Sequence, residues 1–137
     1  MRDIYHNIKV TQHVTPVVAT STQTSSAIDL QGYNSANIVF AVGQSGDTLS
    51  GGVYWTLKLQ ESDTDSGYTD VAASDISSGA ATVVVDDPAE DDAAYSLGYI
   101  GTKRYVKAVV TPTGSHSNGT PIGVIALRGD AGYRPVE

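Results

Sequence analysis

Along VYWTLKLQE the apolar residues fall on every second position. Trp55, Leu57 and Leu59 point to one side of an extended chain, and Tyr54, Thr56, Lys58 and Gln60 to the other. A period of two puts the first set in a core. The segment NIVFAVG supplies Ile38, Phe40 and Val42 for a facing layer. Between them GQSGDTLSGG is rich in Gly and poor in apolar residues, and reads as a flexible loop. Similar short apolar runs, punctuated by Gly, Asp, Asn and Pro, predict strands near 14–20, 26–30, 35–43, 53–61, 68–72, 80–86, 95–100, 103–111 and 120–128. Helical periods are nearly absent. The pattern predicts an all-β chain: a single-domain antiparallel β-sandwich over residues 1–137, jelly-roll-like or immunoglobulin-like.

AYSLGYI and KRYVKAVV are separated by Gly101-Thr102, which suits a two-residue type II′ hairpin turn. The expected register sets Ile100 opposite Lys103, Gly98 opposite Tyr105 and Leu97 opposite Val106. Tyr95, Leu97, Val106, Ala108 and Val110 then share the buried face. Lys103, Tyr105 and Lys107 share the other, with Tyr105 over the bare backbone of Gly98. Just upstream, DDPAEDD packs Asp86, Asp87, Glu90, Asp91 and Asp92 into an exposed loop. A basic stripe beside an acidic loop suits contacts between copies, and equally suits an edge strand protected by lysines. Residues 1–13 and 129–137 look like extended arms. Tyr5 and Tyr133 would anchor them on a neighbour; the alternative is packing along the chain's own sheet.

Charge narrows the partners. Fifteen Asp and Glu against eight Lys and Arg give a net charge of -7, which argues against a nucleic-acid binder or an anionic-membrane binder. No apolar run approaches a membrane span, and MRDIYHNIKV shows no signal-peptide pattern. The chain has no Cys, which removes thiol catalysis and thiolate metal sites.

The motifs that carry chemistry are weak. His6, His13 and His116 lack metal-site spacing. DTDSG at 63–67 departs from the calcium-loop spacing and reads as a turn. RGD at 128–130 falls at a strand end, and Asn118-Gly119 reads as a turn. No nucleophile elbow or phosphate loop is present. The expectation is a protein that is not an enzyme and needs no cofactor or metal.

The segments MRDIYHNI, IDLQGYNSANIVFAVG, KLQESDTDSGYTDV and GYIGTKRYVKAVVTP, followed by a closing Gly-Tyr-Arg-Pro-Val, occur in this order across nearly the whole chain. In this the chain resembles a family of small tailed-phage virion proteins encoded beside the major capsid protein. Relatives contribute head decoration or head-spike parts, also in gene transfer agents. The ending LRGDAGYRPV stands where many members close on Gly-His-Pro. The resemblance implies a structural protein on the capsid surface, synthesised in the host cytoplasm. Its implied partners are the major capsid protein, further copies of itself as a trimer or pentamer, and a spike or fibre protein. Two rival expectations remain: a carbohydrate-binding adsorption module using Tyr54, Tyr68 or Tyr105, and a head–tail or tail joining part.

Overall fold

The computed structural model describes residues 3–133. Among the described residues ten strands run in chain order: β1 Ile8–Ala19, β2 Gln23–Thr24, β3 Ile28–Asp29, β4 Tyr33–Val42, β5 Tyr54–Ser62, β6 Thr69–Asp70, β7 Thr82–Val85, β8 Ala93–Tyr99, β9 Tyr105–Thr113 and β10 Thr120–Ala131. A single 3-10 turn, Ala73–Asp75, lies between β6 and β7. One sheet has the order β1-β10-β4-β8, and the other β2-β9-β5-β6, with β3 also on β9 and β7 also on β5. All pairings are antiparallel.

The topology decides between the two expected sandwiches. If β2 with β3, and β6 with β7, are each taken as one broken edge strand, the chain runs through eight positions. The first pairs with the last, the second with the seventh, the third with the sixth and the fourth with the fifth. That nested pairing, wrapped into two sheets, is the jelly roll and excludes the immunoglobulin-like alternative. The expected face assignments hold. Ile38, Phe40, Trp55, Leu57, Leu59, Leu97, Val106, Ala108 and Val110 are all buried in one core.

The predicted hairpin at Gly101-Thr102 does not form. β8 pairs with β4, setting Gly98 opposite Asn37, whereas β9 pairs with β5, setting Tyr105 opposite Ser62. The Gly-Thr segment is a crossover from one sheet to the other. Leu97 and Val106 therefore belong to opposite layers instead of adjacent strands. The physical reason is burial. A flat hairpin would leave its apolar face needing a third element, whereas a crossover lets the two faces cover each other. What lies at Gly98 is Ser77, not Tyr105: a Cβ there would fall 2.1 Å from the Ser77 hydroxyl oxygen, which donates to the Gly98 carbonyl.

Of the two outcomes expected for the N-terminal arm, packing along the chain's own sheet is the one found for Ile8 to His13: β1 pairs with β10 from Ile8 opposite Gly129 to Ala19 opposite Thr120. Its register slips between Gln12 and Val14 and again before Val17, a span that holds Pro16, which has no N–H to give. At the other end β10 continues to Ala131, opposite Tyr33. Residues 134–137 of the expected tail lie outside the described residues.

The Gly-rich loop at 43–52 is pinned. Leu49 is buried, and the Asp47 carboxylate accepts the amides of Asn118 at 3.1 Å and Gly119 at 2.8 Å. The Ser45 amide donates to Asp91 at 2.8 Å. The Trp55 indole donates to the Thr120 hydroxyl at 2.9 Å, and that hydroxyl donates to Ser45. His116 packs 4.6 Å from the Trp55 ring and donates from Nε2 to the Thr113 carbonyl. One end of the sandwich is thus tied around a buried tryptophan.

Two outcomes follow. Phe40→Ala should cost about 3–5 kcal/mol, read from the midpoint of urea unfolding, because the side chain is wholly buried. The amide bonds, chiefly that of Asn118, hold the Asp47 carboxyl below the usual carboxylate range. A depressed acid stabilises above its unfolded value and loses that contribution as the pH falls through its folded value. Asp47→Ala should therefore lower the melting temperature at pH 7, and the gap to the parent should narrow below about pH 4.

Candidate functional site

The basic residues that sequence reasoning grouped together are each engaged within the chain. Arg104 forks onto Asp29, with Nε 3.0 Å from Oδ1 and Nη2 2.9 Å from Oδ2. Its guanidinium also lies 4.8 Å from the Tyr105 ring centroid. Lys103 donates to Asp63 at 2.8 Å, and Lys107 sits 4.4 Å over the Tyr68 ring. The Arg104 fork holds the Asp29 carboxyl below its usual range, and Asp63 raises the Lys103 ammonium. Tyr105 and Lys107 do face outward from β9, as expected, while Lys103 precedes the strand. Tyr68 and Tyr105, named as sugar platforms, already carry cations on their rings.

The acidic loop is ordered by its own acids. Glu90 accepts the Asp86 amide, Asp87 accepts the Ala89 amide, and Asp91 accepts from Ser45. Asp86, Asp87 and Asp92 are exposed. Tyr5 and Tyr133 are exposed too, and the Tyr5 ring meets the edge of His6. The 63–67 segment is a turn with left-handed backbone at Asp65 and Gly67, and Tyr68 donates to Asp65. Arg128 of the RGD tripeptide is within β10; it donates to the Asp29 carbonyl at 2.7 Å and lies 4.9 Å from the Tyr33 ring centroid. His6 bonds Asp3, and His13 lies between the Thr11 and Ser26 hydroxyls. Burial, with help from Arg128, lowers the His13 pKa. Among the described residues no three His, Asp or Glu side chains converge as metal ligands.

Two surfaces remain that the sequence reading did not single out. The first is the outer face of the β1-β10-β4-β8 sheet. Register places its outward side chains in rows: Ile8, Gly129, Ser35; Val10, Leu127, Asn37, Gly98; Gln12, Ile125, Val39, Ser96; and Gly123, Ala41, Ala94. None of these is charged, in a chain where 17% of residues are. Val10 is 59% exposed and holds the open edge of the face. By contrast the outer face of the other sheet carries Lys58 on Asp70 and Lys107 on Tyr68. A signal was present in the sequence. PIGVIAL and NIVFAV lack alternation, the mark of strands covered on both sides.

The second is a cleft of about 360 Å³ between the β3–β4 turn and the β8–β9 crossover. Tyr33, Asn34, Gln31, Thr102 and Tyr99 help line it. The Tyr99 hydroxyl donates to Glu61 at 2.6 Å and accepts the Lys103 amide at 3.0 Å. Burial, reinforced by Glu61, pushes its pKa well above the usual tyrosine value. Comparison with known proteins finds no family model that matches the chain and no curated protein similar to it.

The exposed Arg104–Asp29 pair generates an expectation of its own. A double-mutant cycle over Arg104→Ala and Asp29→Ala should show favourable coupling at low ionic strength. The coupling should shrink toward zero in about 1 M salt, where the screening length falls to about 3 Å.

Proposed function

We propose that the chain is a structural virion protein of a tailed phage, and that it docks on the capsid shell through the uncharged outer face of the β1-β10-β4-β8 sheet. The observation that carries the reading is the absence of charge across the four rows, with Asp92 at their border, in an acidic molecule. Interface cores are depleted of charge, because every buried ion must be stripped of water. The occupant is an uncharged, partly apolar patch of the major capsid protein. The sequence resemblance supports the same assignment.

Size sets the mode of binding. Four strands and four rows, at ordinary sheet spacings, span roughly 20 Å by 25 Å, or about 500 Å². A stable pairwise interface covers about 800 Å² per partner. One contact of this size is weak, and a repeating shell that offers many such contacts makes it effective. This suits decoration or cementing of a lattice. A ring held by salt bridges has less support, because Lys103 and Arg104 already hold carboxylates of their own chain and Lys107 lies on Tyr68.

The test is occupancy on purified particles. Leu127→Glu and Ile125→Lys point outward, so the isolated protein should melt within a few degrees of the parent. Copy number per particle should fall at least tenfold. Lys103→Glu with Lys107→Glu should leave copy number within about twofold. Full occupancy of the Leu127 and Ile125 variants, or loss confined to the lysine variant, overturns the assignment.

A further inference from the structure

We propose that the cleft between the β3–β4 turn and the β8–β9 crossover binds a neutral polyhydroxylated ligand, such as the terminal unit of a glycan. At about 360 Å³ it sits at the small end of the range for small-molecule sites. Its chemistry follows from what is already engaged. The cations at its rim are neutralised: Lys103 holds Asp63 at 2.8 Å, and Arg104 forks onto Asp29. An anionic ligand would have to displace a carboxylate from one of these pairs. A cationic one would have to compete with a lysine or an arginine.

What the cleft leaves open is neutral. Among the described residues, the Gln31 amide and the Ser35 and Thr102 hydroxyls have no hydrogen bond to the chain, and all three residues line the cleft. Together they offer donors and acceptors without net charge, the set that matches sugar hydroxyls. The half-buried Tyr33 ring adds apolar surface for the C–H face of a sugar ring, beside the Arg128 guanidinium 4.9 Å from its centroid. Tyr99 offers no such surface: it is buried in the core, and its hydroxyl is saturated by Glu61 and the Lys103 amide.

The walls are set before any ligand arrives. The Leu30 amide donates to the Arg104 carbonyl at 2.9 Å, joining the two sides. The Gln31 amide donates to Asp29 at 3.0 Å, so the acid that holds Arg104 also fixes the opposite wall. Gly101 permits the close approach. A Cβ there would lie 2.5 Å from the Tyr99 hydroxyl oxygen and 2.6 Å from the ring carbon that bears it. A cleft fixed in this way loses little entropy on binding. Apart from Ser35, the cleft shares no residue with the uncharged sheet rows.

The experiment is a nitrogen-15 NMR titration of the full chain with glucose, galactose, mannose and N-acetylglucosamine. For one sugar unit on an open cleft the dissociation constant should be on the order of 1–10 mM. At least one of the four should give saturable amide shifts confined to residues 30–36 and 99–104. Gln31→Ala with Thr102→Ala, both on exposed loop positions, should weaken that sugar at least threefold and leave the remaining spectrum unchanged. Inorganic phosphate should give no saturable shift at the same amides. The proposal is overturned by no saturable shift with any of the four sugars, by shifts centred elsewhere, by an unaffected double variant, or by phosphate binding in the cleft more tightly than the sugars.

Discussion

Between the two sheets lies a layer in which Trp55, Phe40, Ile38, Leu57, Leu97 and Val110 are all removed from water. Each comes from a strand with one apolar face, and such a strand is useful only when another sheet covers it. The long strands β4, β5, β8, β9 and β10 alternate between the sheets. Every connection among them therefore brings one apolar face over another. The crossover at Gly101 and the pinned loop at 43–52 are the local structures that this alternation demands. The Trp55 indole shows how tightly the layer is sealed: its one polar atom is satisfied by Thr120, and Thr120 by Ser45.

Period-two patterning made the inward residues legible, because it depends only on the strand that carries it. Trp55, Leu57 and Leu59 could be assigned without knowing their partners. Pairing was not legible in the same way. Tyr95 to Ile100 and Lys103 to Val110 present the same faces whether they lie side by side or in opposite layers. The Gly-Thr between them serves a tight turn and a crossover alike. Distinguishing the two needs β4 and β5, which lie more than 40 positions away from their partners in β8 and β9. Of β1 the second half was legible, as the strand near 14–20; the register slips around Pro16 separate it from Ile8 to His13, which read as an arm.

The candidate site shows the same division. Lys103, Arg104 and Lys107 stand out in a sequence poor in cations, yet Asp29 and Asp63, which hold two of them, are 75 and 40 positions away. Counting charges along the chain gave them a prominence that folding largely neutralises. The uncharged sheet face is the reverse case. Its residues are unremarkable one by one, and the pattern emerges only when register sets four strands in order. Folding thus pairs the scarce cations and gathers neutral residues into rows on one sheet.

The nested pairing also has a mechanical consequence. Because β1 and β10 are neighbours, with Ile8 opposite Gly129, the chain enters and leaves the sandwich at the same end. The loops at 43–47, 86–92 and 114–119 crowd the far end, where they contain acids and no Lys or Arg. A tether fused ahead of Asp3 or behind Tyr133 would therefore pull on adjacent strands, loading their shared hydrogen bonds by peeling from one end. It would leave the acid-rich pole unencumbered, whichever terminus was chosen.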